Sequence, residues 1–305
     1  MRYRGEDEES EDSLLDWVDT PTSIENRVLV NAISGFLDAG SAVRIAVNHL
    51  LANTENRLLA SFDIDLLFNY RDRRPVMSFR SDHFADVELP ALNLFECQDE
   101  VGTPFLLIAG VEPDLGWMTL VDSVIDLVED TEVVLTVGLQ AVPFPAPHTR
   151  PVPITAHSND SMLIAGRQPW VGDVEVPGSL SNLIEYQLAE EGHRSMGFAA
   201  HVPHYLANVE HPRSALALLT ELMGATGLVL SLDELRSAAD DADDEINRQI
   251  AGSSENQEVV SSLEHSYDQL LAGRQPEVSS DDAEDLADQI ERFLAEMDAK
   301  GNDAE

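Results

Sequence analysis

The sequence predicts an α/β fold, a mixed, mostly parallel sheet flanked by helices, followed by an acidic helical appendage. Three observations carry this. Residues 27–51, RVLVNAISGFLDAGSAVRIAVNHLL, read as a strand, a glycine-bearing turn and a helix in one run. Apolar strands and amphipathic helices then alternate toward residue 230, the pattern of parallel strands joined by helical crossovers. From Ser231 the strands stop, and acidic segments with narrow apolar faces take over. The chain therefore divides into an acidic segment, 1–25, expected to be flexible, an α/β domain, 26–230, and a helical appendage, 231–305, whose last residues are expected to be flexible.

Leu14, Leu15, Trp17 and Val18 form a short apolar group able to anchor the N-terminal segment to the domain. Residues 27–32 are apolar and β-branched enough for a buried strand, and Gly35 and Gly40 punctuate the turn after it. A helix begins near Ser41, because Ala42, Ile45, Ala46, His49 and Leu50 recur at helical spacing. Residues 58–64 read as a second strand and 65–74 as a charged loop. Residues 75–79 form a third strand that Pro75 restricts to a sheet edge.

Residues 93–97 alternate as a strand, and 103–110 make a strongly apolar one. Pro113, Asp114 and Gly116 turn the chain into a helix whose Trp117, Leu120, Val121, Val124, Ile125 and Val128 share one face. Residues 132–139 form another buried strand. Five prolines between 143 and 153 exclude helix, leaving an extended loop that closes in a short strand at 154–157. A helix opens at 178–180 and runs through Leu188, and a strand follows at 196–202. The next helix, 212–223, has Pro212 in its first turn and Gly224 at its end. Ser231 with Glu234 is a capping-box pattern for a helix carrying Leu235, Ala239, Ala242, Ile246 and Ile250. After an interruption at 251–254, a second appendage helix carries Val260, Leu263, Tyr267, Leu270 and Leu271. A third carries Leu286, Ile290, Phe293, Leu294 and Met297.

Composition narrows the partners. The chain has 305 residues, of which 57 are acidic and 18 basic, a formal net charge of −39. Nucleic acid is not an expected partner, since this charge repels phosphate and no Lys/Arg stripe offsets it. Cys97 is the only cysteine, which rules out an internal disulfide and fits a reducing compartment. The first residues are polar and acidic where a signal peptide is basic and then apolar. No apolar run approaches the roughly 20 residues of a membrane helix. A soluble cytoplasmic protein with no membrane partner is expected. The appendage holds 22 acidic and 5 basic residues, and its apolar faces must pack on the domain, a neighbouring subunit or a partner.

No phosphate-binding GxxxxGK[ST], GxSxG or HExxH motif is present. The turn of Ser34, Gly35, Asp38, Gly40 and Ser41 is the leading ligand-site candidate, since backbone N–H groups at a helix start suit an anion. The competing reading is that the glycines make the turn for geometry alone, and Asp38 near a helix start is explained equally by the dipole. The proline-rich loop leaves a strand end, where open α/β sheets tend to hold ligands. This brings in His148 and Arg150, with His157 and Asn159 beside them. His204 and Tyr205 end another strand on that sheet edge and are candidates for an acid or hydrogen-bond donor. Satisfied structural side chains are the competing reading for all of them. His201, His204 and His211 lack the further ligands a zinc site needs, so neither metal nor cofactor is expected.

Three segments in order resemble the proteasome assembly chaperone type two family, in its longer actinobacterial branch. Residues 32–40, AISGFLDAG, are similar to the family's opening Gly-Phe-x-Asp-Ala-Gly turn. Residues 139–143 through 148–151 resemble its second hallmark, and 201–206, HVPHYL, its third. The resemblance spans about residues 27–270. It implies a three-layer αβα fold like that of purine nucleoside phosphorylases without phosphorylase chemistry, and a homo-oligomer such as a trimer. It further implies a chaperone-like interaction protein rather than an enzyme, with other cytoplasmic proteins among its partners. The alternative is a nucleoside- or anion-binding protein or enzyme using the 34–41 turn. Members that grip the proteasome often end in a hydrophobic-Tyr-x tail; this sequence ends Asp303-Ala304-Glu305, so docking by that route is not expected.

Overall fold

The computed structural model describes residues 14–22, 27–167 and 173–271. In chain order the elements are β1 (Leu15–Trp17), β2 (Arg27–Ser34), α1 (Ala42–Asn53), β3 (Glu55–Phe62), α2 (Ile64–Leu67), β4 (Val76–Arg80), β5 (His83–Glu88), β6 (Leu92–Gln98) and β7 (Pro104–Val111). They continue with α3 (Trp117–Asp130), β8 (Val133–Phe144), β9 (Ile154–Ser158), α4 (Leu180–Glu190), β10 (Ser195–Pro203), α5 (Pro212–Thr226), α6 (Asp233–Ala251) and α7 (Ser254–Leu271). The third helix expected of the appendage lies outside the described residues.

Eight strands form one sheet in the order β1-β3-β6-β7-β2-β8-β10-β9. At its centre β7, β2, β8 and β10 are parallel, while antiparallel pairings add β6, β3 and β1 on one side and β9 on the other. Side chains alternate across such a sheet, and β2 shows the consequence. Leu29 and Ile33 enter one apolar cluster with Leu120, Val124 and Leu127 of α3 and Ile184 of α4. Val30 and Ala32 enter the other, with Ala46 and Leu50 of α1 and Leu218 and Leu222 of α5. Helices thus cover both faces, which is why the central strands read as continuous apolar runs.

Leu235, Ala239 and Ile246 place α6 in the α1/α5 cluster. Burying a large aliphatic side chain is worth roughly 1.5–3 kcal/mol, so these contacts hold α6 more firmly than its exposed ion pairs do. None of the described helices is long and apolar enough to cross a membrane.

Several expectations need correction. Residues 75–79 do not join the sheet: β4 pairs only with β5, in a separate two-stranded hairpin. Ser81, at φ 56°, makes its tight turn. The loop expected at 65–74 opens with α2, whose start is capped by Asp63 accepting the Asp65 N–H at 2.9 Å. β8 continues through Phe144, because β10 offers a parallel ladder as far as Pro203. α5 runs through Gly224 and stops at Gly227, which takes the left-handed conformation at φ 75°. Ser231 does not cap α6. Leu232 stands at that position without a side-chain bond, and the Ser231 carbonyl accepts from His49 Nε2 at 2.7 Å. Of the apolar group Leu14, Leu15, Trp17 and Val18, only Leu14 and Leu15 are buried, and they anchor the chain through β1 on the edge of β3, while Trp17 and Val18 are exposed.

Candidate functional site

Because β2, β7, β8 and β10 are parallel, their ends at Ser34, Val111, Phe144 and Pro203 lie along one edge of the sheet. The loops leaving that edge carry the residues singled out from the sequence, and they bond to one another. The Ser34 hydroxyl donates to the Gly110 carbonyl at 3.0 Å, and the Ser34 carbonyl accepts the Glu112 N–H at 2.8 Å. The buried Glu112 carboxylate then accepts the Phe36 N–H at 3.1 Å and the Leu180 N–H, at the start of α4, at 2.8 Å. Ala141 of β8 donates its N–H to Leu37 O at 2.8 Å, and Asp38 forms a one-residue bridge to the same strand.

Gly40 joins this turn to the loop after β10. Its N–H donates to Ala207 O at 2.7 Å, and its carbonyl accepts the His211 N–H at 2.9 Å. It sits at φ 63°, and a Cβ there would come 2.9 Å from His211 Cβ, so both conformation and space call for glycine. Ser41 is also left-handed, at φ 50°, and makes no side-chain cap. The cap comes from Asp38, whose carboxylate accepts the Val43 N–H at 2.7 Å and the Arg44 N–H at 3.3 Å. Burial raises the Asp38 carboxyl to about 6, against the downward pull of those two N–H groups and of the Arg44 charge. Two of the amides on which an anion site would depend are therefore bonded to the protein's own carboxylate.

The proline-rich loop meets the same junction. The Tyr205 hydroxyl accepts the His148 backbone N–H at 2.9 Å and lies 2.7 Å from His148 Nδ1. The hydroxyl thus donates to Nδ1, which leaves the ring proton on Nε2, directed at Asn247 Oδ1 of α6 at 3.1 Å. Burial raises the Tyr205 hydroxyl, with the His148 N–H pulling the other way. Arg150 reaches α7 instead, bonding Asp268 at 2.9 and 2.8 Å and Glu264 at 3.1 Å. The bond to Asp268 holds the Arg150 guanidinium more firmly protonated than usual, despite partial burial. His204 is exposed, edge-on to the Tyr205 ring at 5.4 Å.

The other candidates are elsewhere. His157 pairs with Glu185 of α4 at 2.8 Å, and Asn159 bonds Ser195 and His193 at the opposite end of β10. The structure thus brings together the 34–41 turn, His148 and Tyr205, and extends the junction to His211, weighed above only as a zinc ligand, and to residues sequence reasoning missed: Glu112, Asn247, Glu264 and Asp268. A signal existed for α7, where Glu264 and Asp268 stand four apart on one helix face, the spacing that holds a guanidinium. Replacing Arg150 by alanine is expected to speed amide hydrogen exchange in α7 while leaving β2 and β8 protected. Equal protection of α7 in both proteins would show that the arginine does not hold it.

Beside this junction, α6, α7 and the segment after β10 enclose an open groove of about 430 Å³. Leu206, Val209, Ile246, Ile250, Val259 and Val260 make it apolar, and Glu210 and Glu245 also line it.

No curated protein matches this sequence. Among solved structures, a Mycobacterium tuberculosis protein of unknown function is similar at 41% identity, with 92% of this chain and 96% of that one covered and a TM-score of 0.84. A Corynebacterium glutamicum protein of unknown function is similar at 34% identity, with 87% and 100% covered and a TM-score of 0.83. A second M. tuberculosis protein, described as a proteasome-assembly chaperone homologue, is similar at 27% identity, with 76% and 99% covered and a TM-score of 0.70. Residues 32–250 match the PAC2 family, and with the turn, the proline-rich loop and the strand end all inside that span, the chain belongs to this family.

Proposed function

We propose that this PAC2 family member is a chaperone-like interaction protein that has no catalytic role of its own. It self-associates in the cytoplasm and works with proteasome components. The observation that carries the reading is its similarity to the M. tuberculosis proteasome-assembly chaperone homologue over nearly all of that protein's length. The junction supports it. Asp38, His148 and Arg150 spend their hydrogen bonds on α1, α6 and α7, and Tyr205 spends its own on His148. On this reading the 26–230 domain is a phosphorylase-like three-layer scaffold put to non-enzymatic use. Residues 34–41, 148–150 and 204–205 set the position of α6 and α7, and the acidic 231–305 appendage to which these helices belong makes the contacts.

The test is reconstitution. Purified α and β proteasome subunits from the same organism, mixed with and without this protein, are followed by native electrophoresis and peptidase activity. The expected result is co-purification with α subunits and faster appearance of active particles. No binding to any subunit together with unchanged assembly kinetics sinks the proposal.

A further inference from the structure

The groove between α6, α7 and the segment after β10 is apolar and uncovered. Val209 and Val259, which line it, are 55% and 45% exposed. They are two of the three large apolar side chains exposed between 205 and 269, so the groove is a continuous uncovered surface and not a scatter of single residues. Its carboxylates are already matched. Glu210 pairs with Arg44 at 2.8 Å, and Glu245 pairs with Arg248 and accepts from the Gln249 side-chain amide at 2.8 Å. What fits such a groove is an apolar helix face rather than a cation.

The same chain supplies one. Residues 1–13, 23–26, 168–172 and 272–305 lie outside the described residues, and of these stretches only the last carries large apolar residues at helical spacing. Ser280 followed by Asp281 and Asp282 is a helix-start pattern. Leu286, Ile290, Phe293, Leu294 and Met297 then fall within an arc of about 100° on a helix. Glu284, Asp288, Glu291 and Arg292 turn to the opposite side, so no charge interrupts the apolar face. A helix of this length is marginal alone in water, which makes a seat for that face part of its formation.

Chain length favours a seat on the same molecule. From Val259 to the end of α7 at Leu271 is about 18 Å along the helix. A coil of 14 residues, the length of 272–285, averages about 20 Å end to end. Tethered binding is strongest when the average length of the tether matches the span, with effective concentrations in the millimolar range. A second copy or another protein would have to compete with that.

We infer that residues 286–297 fold as a helix and dock, apolar face down, in the α6/α7 groove of their own chain. The inference goes beyond the proposed function, which leaves this groove unassigned. A partner helix of the same spacing enters the groove only by displacing the tail. Residues 233–271 hold eleven acidic residues against two arginines, and 281–298 eight against one. Like charge therefore opposes docking, and docking tightens as salt rises.

The test follows amide hydrogen exchange in the full chain, with a free peptide of residues 280–300 as the reference at each salt concentration. Residues 286–297 are expected to exchange at least about tenfold more slowly in the protein than in the peptide, and the ratio is expected to grow with salt. Phe293→Asp on the tail and Val259→Asp in the groove should each erase this protection, while thermal melting checks that both variants stay folded. Phe293→Asp should also speed exchange at 256–260, where the groove loses its cover. An equimolar mixture of the two variants is expected to stay unprotected. Protection that returns in the mixture shows an intact tail crossing to the intact groove of a second copy, which overturns docking within one chain. Protection that survives Val259→Asp but not Phe293→Asp overturns the groove as the seat. Exchange at the peptide's rate across 286–297 in the unsubstituted protein overturns the inference outright. None of these outcomes bears on proteasome engagement, which the reconstitution assay judges separately.

Discussion

Gly35→Ala is expected to lower stability by roughly 2–4 kcal/mol, read as a fall in the urea midpoint without a change in slope. The added methyl would fall on Glu112, meeting both its Cβ and Oε2. The Glu112 Cβ is fixed to the chain at the end of β7 and cannot swing aside. Its carboxylate holds the Phe36 and Leu180 N–H groups, so displacing it breaks two bonds to a buried charged group as well as crowding the turn. Gly224→Ala is the informative contrast. Gly224 lies inside α5 with nothing within 4 Å of an added Cβ, and alanine there is expected to stabilise by about 0.5–1 kcal/mol. A Gly35→Ala protein within about 0.5 kcal/mol of the parent would mean that Glu112 does not pack on the turn as described.

The difference between these two glycines was only half legible in the sequence. Gly35 sits in a strand-turn-helix run, a continuous apolar stretch followed by apolar residues at helical spacing, and that run does form β2 and α1. Gly224 follows Met223 as a helix-ending glycine should, yet the left-handed position is three residues later, at Gly227. Local pattern cannot choose between two nearby glycines when the packing of α5 on α6 and β10 decides the length. The same limit explains β4. Residues 75–79 were legible as an extended edge strand, and β4 covers 76–80, but the partner of a strand is set by tertiary reach, and here it is β5 alone. At the junction, Asp38 was legible as a carboxylate near a helix start. The tie from His148 to Tyr205 and Asn247 was not, because it joins residues 57 and 99 positions apart. The narrow apolar face of α6 called for burial on the domain, a neighbouring subunit or a partner, and Leu235, Ala239 and Ile246 meet the domain's own core.

Acidification from pH 7 to pH 5 is expected to lower stability by roughly 2–3 kcal/mol, and the sign depends on three groups at or near the junction. Burial pushes His201 and His211 down from the ordinary histidine value of 6.5 to about 4. His211 is only 1% exposed; Asp243 pulls it up, and His148 and Arg213 push it further down. The folded protein holds both rings neutral while the unfolded chain protonates them near 6.5. Their contribution is therefore complete above that pH and is lost as pH falls toward 4, about 2 kcal/mol each by pH 5. Asp38 acts oppositely. With its folded value raised to about 6 from 3.8, the folded state takes up a proton first, which returns about 1 kcal/mol by pH 5. Urea unfolding across this range checks the balance in three proteins. Asp38→Asn removes the gain, so its acid loss should be steeper than the parent's, whereas His211→Asn should be shallower by about 2 kcal/mol. A parent profile flat between pH 7 and 5, or an Asp38→Asn profile shallower than the parent's, contradicts the burial of these groups. His211 is buried at the start of α5, which packs on α6, so the cost of placing a charge on its ring in that site falls on the seat of α6, even though Asp243 offsets part of it. The acid response should accordingly appear first as faster hydrogen exchange in α6, before the sheet responds.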